Sequence, residues 1–378
     1  MKKIYLILFT IIAVAISGCK GADVAEEVNS GSLTPVVDVV DASETAEGTD
    51  QNKIQSDTVV QQEPVGPAII NILFTSDLHS HFESFEENGK VIGGYARLKT
   101  LIDENKSDDE NDILVDCGDF TTGLSVTGSP YSQFYCSDAA ELRMLGALGM
   151  QFTTFGNHEL DFNLKGLEQM ARAAEASNDI LPEILVCNID WDATETIYPG
   201  LKNQFEKIGH KSYKITEVSG KKVAVIGVIG QDAINWASDY NDMKFTNPVA
   251  AVRSTVDVIN TNEDVDMIIL LAHCGTNRLL AGVVNNDEVC SIIDAVPEID
   301  VVVCGHTHMT FEEPIIYNGT PMIAPGNYGR NLGKVTFQEN ENDGTWNLLE
   351  YKLFPVTEDV KEDTVIWEKI SEYKKKLE

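Results

Sequence analysis

Basic residues are scarce in this chain: 28 lysines and arginines stand against 60 aspartates and glutamates, a formal net charge of −32 over 378 residues. A molecule so acidic repels nucleic-acid backbones and anionic headgroups, so an anionic substrate needs a local positive centre. No basic patch with interleaved aromatics is present, and the longest lysine run, Lys374 to Lys376, stands at the C-terminal end. Polymer DNA or RNA is therefore not an expected partner. Cysteine spacings of the zinc-ribbon kind are also lacking. So is any apolar run long enough to span a bilayer comfortably.

The longest apolar stretch, Ile4 to Ile16, follows Lys2 and Lys3 and runs into Ser17-Gly18-Cys19. That order reads as an export signal over residues 1–18. Ile16 to Cys19 resembles a bacterial lipobox, which implies cleavage before Cys19 and a lipid on that residue. The expectation is an extracytoplasmic protein anchored to a bacterial membrane through Cys19. Residues 19–67 are rich in Ser, Thr, Glu, Asp, Gly and Val without helical or alternating period, the composition of a flexible acidic tether.

Beyond residue 68 short apolar runs alternate with amphipathic segments, which predicts an α/β fold with buried sheets. The predicted strands are Ile69 to Thr75, Ile113 to Cys117, Phe152 to Phe155, Glu183 to Asn188, Lys222 to Gly227, Met267 to Ala272 and Val301 to Cys304. Predicted helices include Ala139 to Leu148, Leu164 to Ala176 and Pro248 to Asn260. Cys117, Cys187, Cys274 and Cys304 lie in apolar runs and read as small buried thiols. Cys136 and Cys290 flank helical stretches, and a disulfide between them stays open.

Polar residues gather just past the strands. Asp77 and His79 come after the first, Gly118-Asp119 after the second and Gly156-Asn157-His158-Glu159 after the third. His273 ends the Met267 run, and Gly305-His306-Thr307-His308 comes after Val301 to Cys304. Five of the seven histidines sit at these positions. In α/β sheets such loops converge in one crevice. Two divalent cations need a shared carboxylate, and Asp119 on its glycine turn is the candidate bridge. Asp77 and His79, two apart on an extended segment, would point the same way, as would His306 and His308. Imidazole, carboxylate and amide donors without thiolate suit zinc, manganese or iron.

This ordered set resembles the calcineurin-like metallophosphoesterases. The stretches "GGYARLKT", "GDFTTGLS", "GNHELD", "VAVIGVIG", "LLAHCG" and "GTPMIAPGNYGRNLG" are similar to the bacterial 5′-nucleotidase branch. The resemblance covers roughly residues 69–356. It implies a four-layer α-β-β-α sandwich, with a catalytic domain over residues 68–360. It also implies two divalent ions, one on Asp77, His79, Asp119 and His308, the other on Asp119, Asn157, His273 and His306. A water or hydroxide held there would attack phosphorus in line. His158, steadied by Asp161, would touch the phosphoryl group or leaving oxygen, while Glu159 takes a structural role.

Arg97 and Arg330 read as ion-pair or helix-terminal residues, His81 as a loop-surface residue, and His210 lies outside every motif. The 5′-nucleotidases usually carry a second domain that stacks the nucleobase between aromatic rings. Residues 361–378 place Ile366, Ile370, Tyr373 and Leu377 on one helical stripe, resembling the start of a linker to such a domain. A separate chain supplying it, docked on that stripe, stays open. The expected substrate is a small phosphate ester, foremost a nucleotide 5′-monoester. The alternatives are a 2′,3′-cyclic-nucleotide phosphodiesterase or a non-catalytic surface recognition lipoprotein. Cys19→Ala is expected to move the protein from the membrane fraction to the soluble fraction of lysed cells. A wild type already soluble without detergent would refute the anchor.

Overall fold

The computed structural model describes residues 66–107, 111–122, 129–238, 242–276 and 287–378. The predicted signal, Cys19 and nearly all of the tether lie outside them. Fourteen strands are described: β1 (Ile69–Thr75), β2 (Phe85–Glu87), β3 (Lys90–Ile92), β4 (Asp112–Asp116), β5 (Phe152–Thr153), β6 (Glu183–Ile184), β7 (Tyr213–Val218), β8 (Lys221–Ile229), β9 (Met267–His273), β10 (Val301–Cys304), β11 (Ile315–Tyr317), β12 (Thr320–Ile323), β13 (Asn331–Glu339) and β14 (Trp346–Pro355). They build two six-stranded sheets, in the orders β14-β13-β1-β4-β5-β6 and β11-β12-β10-β9-β8-β7, beside the small β2-β3 ribbon. β1, β4, β5 and β6 are mutually parallel, as are β8, β9, β10 and β12, while the outer strands β14, β13, β11 and β7 pair antiparallel.

The central strands are apolar on both sides because each faces two cores. Along β9, Met267, Ile269 and Leu271 enter the core between the sheets, and Ile268, Leu270 and Ala272 face a helix layer. Ile70, Ile72 and Phe74 of β1 meet them across the gap, while Leu73 faces the other helix layer. This is the two-residue period of a strand applied twice. It yields the four-layer α-β-β-α sandwich that the sequence implied.

The helices bury their stripes accordingly. α1 (Tyr95–Asn105), α2 (Ala140–Leu148) and α3 (Leu164–Ser177) cover the first sheet, and α4 (Pro248–Asn262) and α5 (Glu288–Ala295) the second. In α4 Pro248 takes the first turn and the Asn247 side chain accepts from the Ala250 amide at 3.0 Å, a capped start. Val252, Val256 and Ile259 then pack on the sheet at helical spacing.

Packing decides two possibilities that the sequence left open. Cys136 packs with the first helix layer and Cys290 with the second, on opposite faces of the sandwich. Both are free, as are the other four described cysteines. The C-terminal stripe is not an open docking face. Helix α6 (Thr364–Leu377), capped by the Asp363 carboxylate on the Ile366 amide at 2.8 Å, buries Ile366, Ile370 and Tyr373 in the first core. Tyr373 lies against Phe134 at 5.5 Å, and Lys374 reaches Glu83 at 2.6 Å. The stripe is covered by its own domain, which leaves it unable to seat a partner chain. No helix among the described residues is long and apolar enough to cross a membrane. Ile370→Ala should destabilise the whole domain by about 2–5 kcal/mol, the usual cost of emptying a buried aliphatic site. Thermal unfolding reads this out, and an unchanged midpoint would mean that α6 is only loosely attached.

Candidate metal centre

The parallel strands end on one edge of the sandwich, and their loops meet there. Leaving β1, Asp77 and His79 have φ of 52° and 47°; Asp119 after β4 has 52°, and His306 and His308 after β10 have 74° and 56°. The expected extended geometry for Asp77-x-His79 and His306-x-His308 is thus wrong. These residues take left-handed turns instead, because the loops hydrogen-bond to one another. The Asp77 and His79 amides donate to the carbonyls of Gly118 and Asp119, each at 2.9 Å, and the His306 amide donates to Asp77 Oδ1 at 3.0 Å. Such backbone, costing about 1–3 kcal/mol per residue, persists where its surroundings impose it, and it clusters at functional sites.

The turns bring the donors together. Asp77, His79, Asp119 and His308 have candidate ligand atoms within 4.8 Å of one another, and so do Asp119, His273 and His306. Asp119 belongs to both sets: Oδ2 lies 3.3 Å from His273 Nε2 and 3.9 Å from His79 Nε2. Asn157 Oδ1 joins the second set, 2.9 Å from His306 Nδ1. His158 is turned the other way, its Nδ1–H donating to Asp161 Oδ2 at 2.7 Å. All the residues expected at the site are therefore at one place.

His273 tests whether cations fit. Its Nδ1 lies 2.7 Å from the Cys117 carbonyl, the bond that fixes the ring with Nε2 toward Asp119. Nε2 is buried and has no hydrogen-bond partner. A buried ring nitrogen facing a buried carboxylate is what a divalent cation satisfies. Without the cation only a proton can serve: burial opposes the charged ring, but the Asp119 charge overrides it and lifts His273 to about 10. Burial raises Asp77 to about 7, with Asp119 adding to the effect, and burial lowers His79 to about 3. Burial also pushes Asp119 upward, yet His273, His79 and His158 together hold it well below the usual carboxylate range. His158 resists burial through Asp161 and Asp119 and rises to about 9.

Supporting groups surround this cluster. Glu159, fully buried, accepts from the amides of Gly156 at 2.6 Å, Asp119 at 2.9 Å and Thr121 at 3.0 Å, so it pins two loops as a structural anchor. Asp116 accepts from Thr75 Oγ1 at 2.7 Å and Thr153 Oγ1 at 3.0 Å, tying β1, β4 and β5 where the loops begin. Glu141 accepts from Ser80 Oγ at 2.7 Å beneath the β1 loop. Arg330 pairs with Glu87 at 2.7 Å and holds Asn327 Oδ1 at 2.6 Å, while Asn327 Nδ2 meets His308 Nδ1 at 2.7 Å. Arg97 pairs with Glu362 at 3.0 Å.

His81 is not a surface residue: it is half-buried and stacks on Tyr328 at 4.2 Å. His210 is buried beside Trp191, away from the cluster. Sequence reading missed Asp116, Glu141, Asn327 and Asp232, whose Oδ2 stands 3.6 Å from His306 Nε2. Only Asp116, at a strand end beside Asp119, carried a usable signal. The cluster opens into a cleft of about 350 Å³ bordered by His158, Asp232, Trp236 and His306. A larger groove of about 470 Å³, along Cys187, Ser212, Thr246 and Ser254, is lined by no charged side chain.

The profile of the calcineurin-like phosphoesterases matches residues 70–310. The chain belongs to that family. The trifunctional nucleotide phosphoesterase YfkN of Bacillus subtilis is 26% identical over 356 residues, covering 88% of this chain and 22% of that protein. A probable 5′-nucleotidase of Treponema pallidum is 27% identical over 274 residues, 70% of this chain and 40% of its own length. The chain thus spans well under half of these relatives. Among solved structures, the 5′-nucleotidase precursor of Thermus thermophilus superposes with a TM-score of 0.64 at 21% identity, covering 82% of this chain and 59% of that one, a likeness of fold. As a member of this phosphoesterase family the chain has a donor set suited to divalent cations. Asp119→Asn is expected to abolish metal binding, since a neutral amide cannot offset two dications. Elemental analysis decides it, and full metal content in the variant would remove Asp119 from the bridging position.

Proposed function

We propose that the protein hydrolyses phosphate monoesters, nucleoside 5′-monophosphates foremost, at a centre holding two divalent cations. The observation that carries this reading is the convergence of two buried donor sets on Asp119, with His273 Nε2 3.3 Å from its carboxylate, in a cluster that opens on a cleft. Asp77, His79, Asp119 and His308 would hold one ion and Asp119, Asn157, His273 and His306 the other, with zinc, manganese and iron all matching the donors. When bound, such ions supply Lewis acidity toward a water and toward the phosphoryl oxygens.

The chain's own part is positional. Asp161 fixes His158 through Nδ1, which leaves Nε2 facing the cleft as the proton donor to the departing oxygen. Protonated His158 would add its charge to that of the bound ions, giving the phosphoryl group the local positive centre that a chain of net charge −32 otherwise lacks. The names of the Bacillus, Treponema and Thermus relatives support nucleotides as the ester class. With the lipobox-like Cys19 the enzyme would act outside the cytoplasm, tethered to a membrane.

The test is phosphate release by the metal-loaded protein from AMP, an aryl phosphate and 2′,3′-cyclic AMP. Hydrolysis of AMP is expected. Turnover of the cyclic ester alone would shift the reading to a diesterase, and no turnover of any ester would favour a recognition protein. His158→Ala should keep its metal content while turnover drops about 10²–10⁴-fold, the range of general acid catalysis. Loss of metal instead would place His158 among the ligands.

A further inference from the structure

Trp236 is 72% exposed, against 37% for Trp367, and the other two of the four tryptophans are partly buried. Single exposed apolar residues are ordinary and need no explanation. Trp236 differs by its place, since it borders the same cleft as Asp119, Asn157 and His158. It is also firmly presented. Its helix, Gln231–Trp236, begins with the Gln231 amide donating to the Glu288 carboxylate at 2.8 Å. Ala233 is fully buried, and Ile234 and Ala237 pack against the core. That leaves Asp232 and Trp236, four residues apart and so neighbours on one helical face, on the cleft side. Asp232 Oδ2 stands 3.6 Å from His306 Nε2, and Trp236 follows Asp232 by one turn, about 6 Å of helical rise.

We propose that Trp236 is a specificity-determining residue, a stacking platform for the leaving group of the ester, and that a flat ring such as a nucleobase is the group it fits. The inference rests on the phosphomonoesterase reading above and adds to it a base contact within this domain. A phosphate at the metal cluster leaves its organic part pointing along the cleft, where the indole offers an aromatic face on a fixed helix. Every nucleobase has a π-face, so one such platform favours bases over aliphatic groups and discriminates little among bases.

Two measurements test it. In the metal-loaded protein, Trp236→Ala should lower the ratio of kcat/KM for AMP to that for glycerol phosphate about tenfold, chiefly through KM for AMP, and Trp236→Phe should restore most of it. Separately, adenosine should quench the intrinsic tryptophan fluorescence of the wild type but not of Trp236→Phe, a readout that needs no turnover. An unchanged ratio in Trp236→Ala, or equal quenching in wild type and Trp236→Phe, would overturn the platform while leaving phosphoester hydrolysis standing. If the wild type hydrolyses neither ester, the hydrolysis reading falls and the quenching comparison alone decides the platform.

Discussion

A carboxylate buried among imidazoles is the constraint around which this molecule is arranged. Asp119 is almost fully shielded from water, and a lone buried charge is too costly to keep. His273 Nε2 approaches one of its oxygens at 3.3 Å, and the other accepts the His158 amide at 2.8 Å. The close approach also explains the glycines. A Cβ on Gly156 would come 2.1 Å from Asp119 Oδ1, so no larger residue can precede Asn157. Gly305 is confined in the same way, since a Cβ there would lie 2.6 Å from Ser76 Oγ and 2.8 Å from His273 Nδ1.

The strained turns follow from the same demand. Five residues of the cluster occupy left-handed backbone, and their summed cost is comparable to the net stability of an ordinary domain. That cost is offset by structure lying outside the site. The core between the sheets and the two helix layers fix the strand ends, and Glu159, Asp116 and Glu141 then fix the loops from beneath. These three are carboxyls that burial raises to about 8, 7 and 7, so they serve as hydrogen-bonding supports rather than as free charges. The outer carboxyls hold loop amides and hydroxyls, while the inner ones face the histidines and each also accepts one loop amide.

How legible was this in the sequence? The parallel strands other than β12 were, because burial on both faces leaves uninterrupted apolar runs: Ile69–Thr75 and Val301–Cys304 have the bounds expected of them. β13 and β14 were not, since antiparallel outer strands mix polar and apolar residues and have exposed positions such as Leu348 and Leu349. The site was legible because it occupies strand ends, where a histidine has few structural reasons to be. Asp232, Asn327 and Trp236 escaped notice for the converse reason. They come from segments whose nearness to the cluster is a tertiary fact, and no motif in the sequence marks them. Left-handed turns at Asp77 and His79 were likewise unreadable, because the hydrogen bonds that impose them come from a loop some forty residues away.

An acidic chain proposed to bind an anionic ester would face an electrostatic contradiction, and the cluster is where it would be resolved. Five imidazoles, from His79, His158, His273, His306 and His308, surround two buried carboxylates of the site, Asp77 and Asp119. Without cations only some of these rings can be charged: burial and neighbouring charge suppress His79 and His306, while His158 and His273 stay protonated. Divalent cations would relieve both problems, offsetting the carboxylates and giving the lone pairs of His79, His273, His306 and His308 a partner. The attraction they add is short-ranged, since exposed charge is screened within about 8 Å at physiological salt. Long-range repulsion would then disfavour polyanions, which present many charges beyond that distance, more strongly than a small monoester whose phosphoryl group can reach the cluster. Net charge and local charge would thus act together to favour small substrates, independently of any contact with the leaving group.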